Sequence, residues 1–286
     1  MSNKRLTTSE PVPMGHPDNV ADAPSDGVGA ACPQLYADYY ASDRERQWYE
    51  VCAINKARNF VEFCASLRPG SVLDVGAGSG AVLERYVRAG VGTRVCAVEI
   101  SESGLAELEK RRVALLAEGV ESFAEAKRFD GLSIPYANDS FDLAILSHVL
   151  EHVEHPRALL HEIRRVARRV YVEVPLEVCS LKPNLRGDWV MCSTGHINYF
   201  NVHTLRRMMQ TAGWRVLREG VSMQNKEPYV FMSGTKGLAQ WAIKRAMMAV
   251  SPVLSQSLFV FHAGILCERA PLPPVSLGAA RVTVGK

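Results

Sequence analysis

Val72-Leu73-Asp74-Val75-Gly76-Ala77-Gly78-Ser79-Gly80 decides how this chain folds. Apolar residues flank one acid, and three glycines then alternate with small residues. A buried parallel strand that ends in a tight turn has this form, with bare backbone exposed for close approach of a ligand. About 20 residues on, Val95-Cys96-Ala97-Val98-Glu99 reads as a second buried strand ending in a carboxylate. A glycine turn after the first strand and an acid after the second is how a doubly wound α/β sheet holds an adenosine. The pattern implies a nucleoside-bearing cofactor.

Outward from this pair, the periodicity predicts a helix at about 80–89 and another at 102–117. A weak third strand is expected near 119–123, then a loop to Asp130. Phe141–Ser147 reads as the fourth strand, 156–168 as a helix, and Val170–Val174 as the fifth strand. A long irregular loop covers 176–200, and a helix at 202–212 ends at Gly213, a residue suited to a helix C-terminus. Trp214–Val221 is the sixth strand. Residues 224–257 form a helical insertion before a final strand at 258–267. Strands alternating with helices predict a mostly parallel sheet of α/β class. The last two strands lack an ordinary crossover and suggest an antiparallel hairpin.

The 286 residues suffice for one large domain, here placed at 34–269. Residues 1–33 carry five prolines and little periodicity and read as disordered, and the 270–286 tail reads as loose. A net charge of +3 argues against a nucleic-acid partner, and Arg164, Arg165, Arg168 and Arg169 fit a solvated helix face. Seven cysteines without a Cys-x-x-Cys pair point to reduced thiols and a cytoplasmic location, as does the missing apolar leader. Ala246–Cys267 holds no charged residue, but Pro252 and Ser255-Gln256-Ser257 break it. A helix then a core strand is the expectation. Weak membrane-surface association through about 238–257 is the rival, since Lys244 and Arg245 sit beside Trp241.

Gly76-x-Gly78-x-x-Ala81 also satisfies a dinucleotide fingerprint. Against that stand Asp74 just before the turn, where it would hold an ammonium and repel a pyrophosphate, Asp130 after the third strand, and the closing hairpin. At this point the chain resembles the class I S-adenosylmethionine-dependent methyltransferases of the small-molecule group, from about Tyr36 to Arg269. Besides the glycine motif and Glu99-Ile100-Ser101, the resemblance rests on three stretches. These are Asp130 to Asp142, Ser147-His148-Val149-Leu150-Glu151-His152-Val153, and Gly195-His196-Ile197-Asn198-Tyr199-Phe200 followed by Ala212-Gly213-Trp214.

The resemblance implies a seven-stranded Rossmann-like fold and S-adenosyl-L-methionine as cofactor. It implies that Gly76, Ala77, Gly78 and Gly80 offer backbone to the cofactor, that Asp74 holds its amino group, and that Glu99 accepts both ribose hydroxyls. Ile100 would flank the adenine, Asp130 and Gly131 would meet its amino edge, and Ser147 would contact the cofactor. Tyr36, Tyr40 and Arg58 would close over it.

Methyl transfer from a sulfonium needs an aligned nucleophile and, for oxygen, a base. His148, Glu151, His152 and His155 follow the fourth strand, and His148 is the candidate base. His152, Glu151 and His196 are the further catalytic candidates, with Trp189 and Tyr199 lining the pocket. If 148–152 is helical, His148, Glu151 and His152 share a face. The alternative is that Glu151 and His152 only cap the next helix. No metal ligand set is assigned, although a divalent metal assisting an oxygen acceptor, as in some quinone-pathway members, stays open. The expected activity is O-methylation of a small-molecule, glycan or lipid-linked acceptor. N- or C-methylation, an NAD(P)-dependent oxidoreductase and a silent cofactor-binding module are the alternatives.

Overall fold

Val72 and Val95 point to one side of their strands and Leu73 and Cys96 to the other, and both sets are buried. A sheet covered on both faces demands such continuous apolar strands. The computed structural model bears this out and describes residues 43–179 and 195–271. In chain order the elements are α1 (Asp43–Cys64), β1 (Ser71–Val75), α2 (Ala81–Arg88), β2 (Arg94–Glu99), α3 (Glu102–Ala117), β3 (Phe123–Arg128) and β4 (Phe141–Ser147). There follow α4 (Pro156–Val166), β5 (Ala167–Leu176), α5 (Val202–Thr211), β6 (Trp214–Ser222), α6 (Lys226–Val250), α7 (Pro252–Leu258) and β7 (Phe261–Arg269). The stretches 1–33 and 272–286, with Tyr36, Tyr40 and Trp189, lie outside the described residues.

The seven strands lie in the order β3-β2-β1-β4-β5-β7-β6. β1 to β5 run parallel, and β7 is antiparallel to both β5 and β6. The chain therefore closes as a β6–β7 antiparallel pair, as expected, with the helical insertion α6–α7 between its strands. One face of the sheet packs under α4 and α5 through Leu159, Leu160, Ile163, Leu205 and Met209. The other packs under α1, α2 and α3 through Phe60, Leu83, Tyr86, Leu108 and Leu115. Each such fully buried side chain contributes about 1.5–3 kcal/mol of burial.

Three boundaries differ from the sequence reading. β3 starts at Phe123 rather than 119, because Gly119 (φ 80°) ends α3 and the strand itself carries Glu125, Lys127 and Arg128. Charges of that kind are tolerated on an edge strand. β5 extends over Ala167–Leu176 because Arg168 and Arg169 continue the strand rather than the helix. The stretch 148–152 is a turn and not helix: His148 has φ 59°, and the amide of His152 donates to the Val149 carbonyl (3.0 Å).

Arg164 and Arg165 are not merely solvated. Arg164 donates to the carbonyls of Gly213 and Ala270, and Arg165 to those of Ile134 and Tyr136. The described cysteines (Cys52, Cys64, Cys96, Cys179, Cys267) are buried. Among the described residues no helix is long and apolar enough to cross a membrane.

Candidate active site

The strand order reverses between β1 and β4, and a doubly wound sheet binds ligands beyond the strand ends at such a reversal. Gly76 (φ 69°), Gly78 (φ 58°) and Gly80 (φ 78°) all take the left-handed backbone that side chains resist. The amides of Gly76 and Ala77 donate to the Val98 carbonyl (2.8 and 3.3 Å), which fastens the turn to the end of β2. A Cβ on Gly76 would sit 2.9 Å from Val149, so the turn after β4 lies directly against the glycine turn.

Glu99 is 5% exposed and organises this corner. One carboxylate oxygen accepts from the Gly78 amide (2.7 Å), the other from the amides of Ile100 and Ser101 (both 3.0 Å). Burial raises its pKa, and those amides oppose the rise. Asp74, at the same end of β1, accepts from the Tyr86 hydroxyl (3.1 Å). Burial pushes it up to about 7, and Glu99 adds to the effect. Asp130 is exposed, and its Oδ1 accepts from the amides of Ser133 (2.6 Å) and Leu132 (2.8 Å), which lower its pKa. That carboxylate folds back on its own loop. Gly131 (φ 86°) faces Ile100 across about 4.0 Å measured from an added Cβ.

Arg58 is exposed and donates to Asn225 at the start of α6 (3.2 Å), and no described contact links it to the glycine turn. Asp142 binds the amides of Gly70 and Ser71 (both 3.0 Å) at the opposite end of the sheet, a structural role.

Beyond β4 and β5 the catalytic candidates gather around Glu151. Its side chain is fully buried, and among the described residues neither oxygen has a hydrogen-bond partner. His148 Nδ1 lies 3.0 Å from Glu151 Oε1 without hydrogen-bond alignment, and the His148 Nε2 is also unpartnered. The carbonyl of Glu151 receives the amides of Ile197 (2.8 Å) and Asn198 (3.0 Å), and Asn198 Nδ2 donates to the carbonyls of Leu150 and Val153. That latch brings His196 to His152, their rings 4.7 Å apart and edge to face. His152 Nδ1 faces the Gly195 carbonyl (3.0 Å) and His196 Nδ1 faces Glu177 Oε2 (2.7 Å).

Glu151, His152 and His196 each offer one ligand atom, all within 4.8 Å of one another. A backbone carbonyl or a carboxylate on the other ring nitrogen is how metal-ligating imidazoles are oriented. These three residues could hold a divalent cation, although no ligand set was assigned from the sequence. Burial lowers His148 well below the usual histidine range, lowers His152 and raises Glu151, so the cluster favours its uncharged forms.

His155 does not join the group, since its side chain is exposed at the N-terminus of α4. In its place stands His262 at the start of β7, stacked edge to face on His148 at 4.8 Å. Sequence reasoning also missed Glu173, whose carboxylate, pushed up to about 7 by burial, accepts from Asn59 (2.7 Å) and, at 3.4 Å, from Ser147. Glu177, on His196, was missed as well. Glu173 and His262 follow a buried-strand alternation that should hold apolar residues, and that was the available signal. Tyr199 is half-buried beside this group.

A family model described as a methyltransferase domain matches residues 41–219, more than half of the chain. The chain therefore belongs to the methyltransferase domain family, of the class I S-adenosylmethionine-dependent type, and its cofactor is S-adenosylmethionine. It is 32% identical over 124 residues to a demethylmenaquinone methyltransferase of Paenarthrobacter aurescens, covering 42% of this chain and 45% of that one. It is 32% identical over 102 residues to the ubiquinone/menaquinone biosynthesis C-methyltransferase UbiE of Paracoccus denitrificans, covering 34% and 38%. The chain thus aligns with less than half the length of these curated relatives. The magnesium protoporphyrin IX methyltransferase of Synechocystis, solved with SAH, shares the fold (TM-score 0.54, 17% identity, 83% of this chain and 99% of that one).

Proposed function

We propose that this methyltransferase acts on a hydroxyl of a small-molecule acceptor and places the methyl on oxygen. The observation that carries the reading is the buried His148–Glu151 pair packed, through Val149, against the first glycine of the cofactor turn. A neutral, desolvated imidazole with an unpartnered ring nitrogen is the group to take a hydroxyl proton as the nucleophile attacks the sulfonium methyl. Glu99 and Asp74 are read as holding the ribose and the amino group, with Gly76, Ala77, Gly78 and Gly80 offering backbone.

Transfer to a ring carbon is the second reading, favoured by the curated relative named as a C-methyltransferase. An ionised ring hydroxyl would need the same proton acceptor. The acceptor is further read as membrane-borne. The outer face of α6–α7 exposes Leu238, Ile243, Val250, Val253 and Leu254, and no acidic residue occurs between Pro228 and Cys267. Such a face suits an anionic lipid surface.

The test is turnover with carbon-13-methyl S-adenosylmethionine and NMR of the product, which distinguishes a methyl on oxygen from one on carbon. His148→Gln is expected to lower kcat by about 10²- to 10⁴-fold, with S-adenosylhomocysteine affinity unchanged. An unchanged kcat removes His148 from the reaction.

A further inference from the structure

We infer that the cavity beside His262 is a subsite for an anionic group of the acceptor, a carboxylate or a phosphate, received by the buried ammonium of Lys244. The inference rests on the methyl-transfer reading above and adds the chemical class of the acceptor to it.

The cavity, about 200 Å³, is lined by Trp48 of α1, Tyr229 and Lys244 of α6, and Phe261 and His262 of β7. Its His262 wall is the ring that stacks on His148, so the cavity adjoins the candidate base. An acceptor lying there would present its hydroxyl past His262 and its other end to Lys244.

Lysine is seldom buried without a partner, because an ammonium stripped of water costs several kcal/mol. Lys236 and Arg245 of the same helix obey the rule and are exposed. Lys244 turns inward and is 7% exposed. Its Nζ donates to the Tyr229 hydroxyl (2.6 Å) and to the Val260 carbonyl, and lies 4.4 Å from the centre of the Phe261 ring. Both acceptors are neutral, and an ammonium has three donors. Among the described residues no carboxylate pairs with it: Pro228–Cys267 lacks Asp and Glu, and Glu227 in the first turn of α6 is exposed and makes no described contact with it. Burial accordingly draws the amine down to about 8, which leaves it protonated at neutral pH. A charge so placed, at the wall of an apolar cavity and with one donor to spare, is complementary to an anion brought by the ligand. A lysine serving only to cover apolar surface would carry its ammonium out to water.

The experiment is a ligand-observed NMR titration of the full chain saturated with S-adenosylhomocysteine. The probes are benzoate, phenyl phosphate and the neutral isostere benzamide. At least one anion is expected to bind tenfold or more tighter than the amide, and the stronger of the two identifies the group. Lys244→Met is expected to erase that preference and Lys244→Arg to keep it, with S-adenosylhomocysteine affinity unchanged in both as the check on folding. If Lys244→Met fails that check, the Arg variant and the wild-type preference decide. Equal binding of benzamide, a preference that survives in Lys244→Met, or no binding of either anion overturns the subsite. Failure of S-adenosylhomocysteine to bind the wild type strikes the methyl-transfer reading instead, so the two failures are distinct.

Discussion

Asp74 shows what burial does to a single acid beside the glycine turn. Burial holds its folded-state pKa at about 7 against an ordinary 3.8. An acid raised on folding stabilises the protein below its unfolded pKa, and that stability is lost as pH rises through the folded one. The apo protein should therefore lose stability between about pH 4 and 7, and Asp74→Asn should reduce that slope in thermal melts, leaving the share of Glu173. A cofactor ammonium prefers the ionised carboxylate, so S-adenosylhomocysteine affinity should rise with pH through about 7 in the wild type. Calorimetry on Asp74→Asn should show no such rise.

The group at Glu151 gives a second expectation at this scale. With a cation held by Glu151, His152 and His196, chelation by EDTA should lower turnover at least tenfold, an effect of the size seen when metal ligation is disturbed. Magnesium or manganese should restore turnover, and His196→Ala should abolish the response. Turnover indifferent to chelation would assign the three side chains to proton handling alone.

These residues were unequally legible. Asp74 lies two residues before the glycine turn and Glu99 ends β2, so position along the chain reveals them. Glu173, Glu177 and His262 meet the site from β5, its end and β7, and only sheet order brings them there.

Among the elements, β1, β2 and β4, with their mainly apolar runs, match the expected spans to the residue or nearly so, as does α3, which Ser101 caps. Periodicity fails where charge or backbone strain intervenes. β3 hides behind Glu125, Lys127 and Arg128, and the expected helical face at 148–152 is undone by the left-handed His148. A histidine at positive φ is uncommon and costs about 1–3 kcal/mol; here it turns the chain so that 149 meets the glycine turn and 151 points inward.

The insertion at 224–257 was read as helical, but its kink was not legible. Gly234 leaves helical geometry (φ 56°, ψ −130°), and the two halves of α6 then meet so closely that a Cβ on Gly237 would sit 1.9 Å from the Tyr229 carbonyl oxygen. Gly237→Ala must displace residues 226–233, and with them Tyr229 of the cavity wall. Overpacking of this kind costs about 1–3 kcal/mol. The melting temperature is expected to drop by several degrees and acceptor KM to rise, while S-adenosylhomocysteine affinity is unchanged because the glycine turn is untouched.

For the whole molecule, the sheet separates two tasks. The β1–β4 reversal carries the cofactor turn, and the antiparallel β7 brings its first residues, with the helical insertion behind them, up to the end of β5. Packing of Lys244, Trp241 and Ser255 against the body leaves the opposite side of α6–α7 to solvent, with Val250 87% and Val253 79% exposed. Past the N-terminus of α6, where Lys226 and Glu227 sit, its described charges, Lys236 and Arg245, are cationic. An apolar face flanked only by cations binds best where acyl chains and anionic headgroups meet, with each cation worth about 1 kcal/mol there. The full chain should therefore sediment with vesicles of phosphatidylcholine containing phosphatidylglycerol, and far less with phosphatidylcholine alone or at high salt. Arg245→Glu should weaken the association about fivefold or more, and Val250→Glu with Val253→Glu should remove it by charging the apolar face. All three leave the cofactor turn alone, so S-adenosylhomocysteine affinity should stay constant. Equal sedimentation by the charged variants would show that another surface meets the lipid, and the acceptor would then have to reach His148 from water.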